Sequence, residues 1–150
     1  LRPQLLDRFG LSVEVSTPTN LQDRIEIIRR REAFERDRAA YAKRWASREG
    51  QVRARIRRAR ERLESVDVSD TTMERIAGLC IALETDGLRG ALTLVRAARA
   101  MAALEGADAV DVQHLREVAP MALRHRLRRD PLDESSSGVR VERAVEEVLG

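Results

Sequence analysis

The sequence predicts a mainly α fold, a bundle of amphipathic helices entered through a short helix and one β-strand. Two observations carry this expectation. Aromatic residues make up only 3% of the chain (Phe9, Phe34, Tyr41 and Trp45), while Ala, Leu, Val, Arg and Glu dominate. That mixture suits helices, because straight side chains and alanine lose little freedom there, and it lacks the aromatic surface that strands favour. Beyond Asn20, apolar residues recur at intervals of three and four, and the breaks between these stretches are short. Short breaks between amphipathic helices imply antiparallel neighbours.

Residues 1–9 read as a short helix. Pro3 suits its first turn, Leu1, Leu5 and Phe9 fall on one stripe, and Gly10 can take a left-handed stop. In residues 11–15, Leu11, Val13 and Val15 alternate with Ser12 and Glu14, the period of a half-buried strand. Residues 16–20 break regular structure, and Thr19 with Gln22 has the form of a capping box.

A helix over 21–38 is expected to turn Leu21, Ile25, Ile28 and Phe34 inward. Residues 39–45 form another segment, leading through Gly50 into an arginine-rich helix over 51–63. The helix over 71–83, capped by Ser69 or Asp70, carries the stripe Met73, Ile76, Leu79, Cys80 and Leu83. Asp86 and Gly87 interrupt the pattern. Residues 88–104 then place Leu88, Leu92, Val95, Ala98 and Ala102 at helical spacing, with Gly106 as the stop. A helix over 112–127 presents Leu115, Val118, Ala119, Ala122 and Leu123. Residues 129–138 read as a polar loop and 139–149 as a last short helix.

A chain of 150 residues is large enough to bury a core without disulfides or metal. It opens at Leu1, already inside a structural element, which points to a piece of a longer chain. The single cysteine, Cys80, excludes an internal disulfide and suits a reducing compartment such as the cytoplasm. No apolar run approaches the roughly 18 residues of a membrane span. The net charge is only +3 although 35% of residues are charged, so no strong field calls for a nucleic-acid partner. Residues 48–64 do hold seven arginines against three glutamates. No aromatic platform or glycine-rich clamp accompanies them, and a solvated or subunit-facing helix is the plainer reading.

Three constellations could carry chemistry. Asp7 and Arg8 stand at the end of the first short helix, where the bland reading is an exposed arginine. Consecutive helical residues point about 100° apart, so Asp7 does not face Arg8. Arg89 falls in the first turn of its helix, where unpaired N–H groups and the dipole disfavour a cation. An anion would resolve that conflict, with Arg96 two turns on along the same face; a solvated or carboxylate-paired arginine is the alternative. Residues 121–134 end a helix in cations that complement its dipole, before Pro131 stops it. His114 and His125 lack a cysteine or acidic partner at ligand spacing, so no metal site is expected.

Residues 1–15, with Leu-Leu-Asp-Arg-Phe-Gly at 5–10, closely resemble the segment after the sensor-1 strand in the I subunits of magnesium chelatases, a family of AAA+ ATPases. The Gly-Leu-Arg-Gly run at 87–90 resembles the sensor-2 motif on that family's lid helix, and residues 121–134 are similar to its C-terminus. The resemblance implies an AAA+ helical lid bundle over 19–150, preceded by the end of the α/β core over 1–18. It implies Arg8 as an arginine finger for the γ-phosphate of ATP in a neighbouring subunit, with Asp7 supporting the interface. Arg89 becomes sensor 2, acting in cis or in trans, and Arg96 a weaker nucleotide contact. A guanidinium fits the finger role because it is permanently charged, planar and bidentate.

ATP and Mg²⁺ are the implied cofactors. The Gly-Lys-Ser/Thr loop and acidic strand that hold them in the family do not occur in these 150 residues, so the chain by itself is expected to be inactive. Implied partners are further copies in a ring, expected to be a hexamer, the chelatase D subunit and the porphyrin-binding H subunit. The implied task is Mg²⁺ insertion into protoporphyrin IX for (bacterio)chlorophyll synthesis, in bacterial cytoplasm or plastid stroma. Alternative readings are a lid of another chelatase-like or MoxR-type ATPase, and a basic helical nucleic-acid-binding module.

Overall fold

The computed structural model describes residues 3–127 and 137–150, so most of the loop expected over 129–138 lies outside the described residues. The helices are α1 (Pro3–Leu6), α2 (Leu21–Arg36), α3 (Arg38–Arg62), α4 (Asp70–Ala82), α5 (Arg89–Glu105), α6 (Val112–Leu123) and α7 (Ser137–Leu149). Short 3-10 turns extend α3 over Leu63–Ser65 and α6 over Arg124–Arg126. The chain divides into two units: Leu1–Val13 with Arg58–Gly150, and Glu14–Arg57.

In the larger unit, α4 to α7 enclose one core. Ile76 and Leu79 of α4, Leu94 of α5, Leu115 and Leu123 of α6 and Val141 of α7 are its largest fully buried side chains. Burying one such side chain contributes about 1.5–3 kcal/mol. Ala98 and Ala102 of α5 and Ala119 and Ala122 of α6 are also completely buried. Small residues on both helices let the two backbones approach closely, and this pair forms the centre of the bundle.

The helix ends follow their local chemistry. Ser69 Oγ accepts the Thr72 amide at 3.2 Å and starts α4. Asp111 Oδ1 accepts the His114 amide at 3.0 Å while His114 Nδ1 accepts the Asp111 amide at 3.0 Å, a reciprocal cap on α6. His114 is buried there, with Glu105 Oε2 3.3 Å from its Nε2, so the acidic neighbours not expected from spacing are present as packing and capping partners. Gly106 closes α5 at φ 84°. Asp67 and Val110 tie the loops before α4 and α6 together, the Val110 amide donating to the Asp67 carbonyl at 2.9 Å.

In the smaller unit, Asn20 caps α2, its Oδ1 accepting the Gln22 amide at 2.8 Å, so the cap lies one residue past the expected Thr19. Asp37 separates α2 from α3, and its Oδ1 accepts the Ala40 amide at 2.9 Å. Phe34, Tyr41 and Trp45 pack in series, the first pair edge to face and the second tilted, with centroids 5.8 and 6.0 Å apart. No α2 residue is buried, and Leu21 and Ile28 are well exposed, against the expected inward stripe.

Three further expectations are corrected. Residues 11–15 do not form a strand, and none exists among the described residues; a strand needs a neighbouring ladder, whereas the Ser12 amide donates to the Met121 carbonyl of α6 at 2.8 Å. Gly50 does not break α3, because the helix formers that flank it carry the turn through and offset its cost of about 1 kcal/mol. The buried stripe of α5 runs through Leu94, Ala98 and Ala102, while Leu88 and Leu92 are exposed.

Candidate functional site

The site grows from the turn after α1. That helix ends at Leu6, earlier than expected, and the Arg8 and Phe9 amides close a turn onto the carbonyls of Leu5 and Leu6 at 3.1 and 3.0 Å. Gly10 is not left-handed, since Gly87 and Gly106 are the glycines with positive φ among the described residues. The turn leaves Arg8 exposed, and its side chain makes no hydrogen bond or ion pair among the described residues.

Arg89 arrives from the opposite direction in sequence. Glu84 and Gly87, both left-handed at φ 49° and 67°, reverse the chain after α4 and deliver Leu88 as the N-cap of α5. Leu88 has no side-chain acceptor, so the first-turn amides of α5 lack a side-chain cap. Arg89 Nη1 donates to Asp7 Oδ2 at 2.9 Å. A carboxylate thus pairs with the cation at this helix end, and it belongs to the residue next to Arg8. Arg96 is exposed and is not among the groups that meet Asp7.

A third arginine completes the junction. Arg126, in the turn after α6, has a side chain only 3% exposed. Its Nε donates to the Ala122 carbonyl at 3.0 Å, the expected role of a cation at a helix end. Its far end does more. Nη1 donates to Asp7 Oδ1 at 2.5 Å and to the Asp7 carbonyl at 2.7 Å, and Nη2 donates to the Phe9 carbonyl at 2.8 Å. His125 Nε2 donates to the same Phe9 carbonyl at 2.9 Å. Gly90 packs beside this side chain, where a Cβ would stand at ordinary van der Waals contact, 3.6 Å from Arg126 Cδ and 3.4 Å from Leu123 Cδ2.

Sequence reasoning singled out Asp7, Arg8, Arg89 and Arg96 but gave Arg126 and His125 no role at the site. The available signal was the run of cations over 124–129, which read as a dipole complement. Electrostatically, the junction holds one carboxylate between two guanidiniums, with a third guanidinium projecting beside it.

The sequence pattern of the AAA lid domain family matches residues 73–148, from within α4 to the end of α7. The chain belongs to the AAA lid domain family. The chain is 61% identical over 145 residues to the magnesium-chelatase 38 kDa subunit of Acidiphilium rubrum, an alignment covering 97% of this chain and 42% of that protein. To the magnesium-chelatase 38 kDa subunit of Rhodobacter capsulatus it is 57% identical over 149 residues, covering 99% of this chain and 43% of the relative. To the chloroplastic magnesium-chelatase subunit ChlI of Oryza sativa subsp. japonica it is 40% identical over 141 residues, covering 94% and 34% respectively.

The chain therefore spans about two fifths of the length of the bacterial relatives it matches. The likeness to magnesium chelatase I subunits read from residues 1–15, 87–90 and 121–134 extends over nearly the whole chain. The mainly α lid bundle expected from that likeness is the fold observed for α4 to α7. No helix among the described residues is long and apolar enough to cross a membrane.

Proposed function

We propose that this chain is the lid-bearing part of the AAA+ motor subunit of a magnesium chelatase, coupling ATP hydrolysis to Mg²⁺ insertion into protoporphyrin IX. The observation that carries this reading is identity of 57–61% to magnesium-chelatase 38 kDa subunits, sustained over nearly the entire chain. Residues 1–18 are read as the end of the ATPase core and 19–150 as the lid. The motor assembles as a ring of copies, a hexamer on this reading, and works with the D subunit and the porphyrin-binding H subunit.

The donor set fits an anionic nucleotide. Arg8 offers a solvent-facing guanidinium with no described partner, Arg89 is 55% exposed, and the α5 amides beside it lack a side-chain cap. ATP with its Mg²⁺ supplies the phosphoanhydride and the counter-charge of the reaction. Arg8 is assigned as the finger, placing fixed positive charge against a neighbouring copy's γ-phosphate. Arg89 is assigned as sensor 2, and Arg96 as a weaker contact on the same helix. To meet a phosphate, Arg89 exchanges the Asp7 carboxylate for phosphate oxygens. Both members of that pair are about half exposed, so the exchange costs only about 0–1 kcal/mol.

The test is Arg8→Ala in the intact subunit. Hydrolysis is expected to be largely lost, by about 10³-fold or more, with nucleotide binding and folding retained. Near-normal turnover by an assembled Arg8→Ala ring removes the finger assignment. Arg89→Ala is expected to impair hydrolysis as well, and unchanged ATPase and chelatase rates would remove the sensor-2 assignment.

A further inference from the structure

We infer that Arg126 is a positioning residue for Arg8: its buried guanidinium fixes the turn over residues 7–10 and so sets the direction in which the finger leaves the fold. This rests on the reading of Arg8 as the finger. Burying a guanidinium is costly unless its N–H groups find acceptors and its charge a counter-charge. The Arg126 side chain is 3% exposed and all three of its nitrogens are engaged. Beyond Ala122, its acceptors are the carboxylate and carbonyl of Asp7, the carbonyls of Phe9 (2.8 Å) and Gly10 (3.4 Å), and Thr93 Oγ1 (3.4 Å).

Those carbonyls bracket Arg8 on both sides, whereas the Arg8 side chain is exposed and makes no hydrogen bond or ion pair among the described residues. The helix that precedes it, α1, has only four residues and cannot hold a direction by its own cooperativity. What anchors the turn is therefore the lid: Arg126 and His125 after α6, Arg89 at the start of α5, and Met121, whose carbonyl takes the Ser12 amide. Of these, Arg126 alone bonds Asp7, Phe9 and Gly10 together. Only the planar fork of an arginine matches these divergent acceptors; a lysine ammonium is a point charge with a different reach. A finger must meet its phosphate within a fraction of an ångström, and a displacement of about 1 Å costs about 10²-fold in rate.

The experiment uses the full-length subunit with steady-state ATP hydrolysis, ring assembly by sedimentation, and unfolding midpoints. Arg126→Lys keeps charge and stem. Arg126→Met fills the space without a buried charge, and Asp7, 42% exposed, keeps its pair with Arg89, while the unfolding midpoint reports whether the variant still folds. Both are expected to lower kcat by about 10–100-fold while KM for ATP stays within about threefold and rings still assemble. The double variant Arg8→Ala with Arg126→Met is expected to be no slower than Arg8→Ala alone, because a finger that is gone cannot be misplaced.

If Arg8→Ala is inactive while a folded Arg126→Met enzyme keeps kcat within twofold of wild type, the positioning role is overturned and the finger stands. Losses that multiply in the double variant also overturn it, since Arg126 then acts independently of Arg8. Normal hydrolysis by Arg8→Ala defeats the finger reading itself, a result separable from both.

Discussion

Arg89 Nη1 lies 2.9 Å from Asp7 Oδ2, joining the first turn of α5 to the turn that carries Arg8 across 82 positions of sequence. The same carboxylate receives Arg126, so one aspartate is shared by two guanidiniums of different burial. The two halves of this arrangement differ in energy. The Arg89 pair is half exposed and contributes about 0–1 kcal/mol. Arg126 is buried, and losing its counter-charge strands a cation in a poorly solvated place.

Asp7→Asn is therefore expected to lower unfolding stability by about 1–2 kcal/mol, well short of the roughly 3–5 kcal/mol typical of a broken buried pair. Asparagine keeps an acceptor oxygen, the Arg126 carbonyl partners remain, and Asp7 is 42% exposed. Arg89→Ala is expected to change stability by less than about 1 kcal/mol. Urea unfolding midpoints check both. An Arg89→Ala loss equal to that of Asp7→Asn would mean that burial of Arg126 is not what the carboxylate stabilises.

Two glycines have opposite expectations. Gly106 sits at φ 84° with Arg62 Nη1 3.3 Å from the place a Cβ would occupy, so Gly106→Ala is expected to cost about 1–2 kcal/mol. Gly50 lies inside α3 with open space around it, and Gly50→Ala is expected to stabilise by about 0.5–1 kcal/mol. Thermal unfolding of the pair separates backbone strain from helix propensity. A stabilising Gly106→Ala would contradict the left-handed cap.

Much of the bundle was legible because its helices bury single stripes. Leu115, Val118, Ala119, Ala122 and Leu123, all expected inward, are all buried. The α5 stripe was misjudged because Leu88 and Leu92 fit the period as well as Leu94 does, and periodicity cannot say which of two adjacent apolar faces meets the core. Alternation over 11–15 suggested a strand, but pairing is a tertiary event that no local pattern guarantees. At the candidate site, Asp7, Arg8 and Arg89 stood out through local motifs. Arg126 did not, because its Asp7, Phe9 and Gly10 partners lie 119, 117 and 116 positions away, and nothing in the composition of residues 121–127 records them.

Cys80 gives a chemical check on packing. Burial pushes its thiol above the ordinary range, opposed by the Thr85 side chain and by the charge of Arg126. A raised thiol pKa means less thiolate at any pH below it, and the thiolate is the nucleophile. Alkylation of Cys80 at pH 8 is accordingly expected to run several-fold slower in the folded protein than in urea, and to accelerate as pH rises. Mass spectrometry of iodoacetamide-treated protein reads this directly. Equal rates in both states would show that the thiol is not shielded.

The arginines of the Glu14–Arg57 unit lead to the last expectation. Arg30 and Arg48 stand 5.2 and 5.1 Å from the Trp45 ring centroid, and Arg38 stands 5.4 Å from that of Phe34. Arg30 also bonds Glu26 at 2.8 Å, which holds that carboxyl below its ordinary range, and Arg31 bonds Glu35 at 2.6 Å. Rings and carboxylates within the hairpin occupy several of the guanidiniums that a phosphate backbone would need, and the Trp45 and Phe34 rings that could stack on bases already carry guanidiniums over them. Filter binding of duplex and single-stranded DNA at low salt is expected to give no measurable affinity. Tight binding whose logarithm falls steeply with the logarithm of salt concentration would instead count several released counterions, and would make this hairpin a nucleic-acid surface.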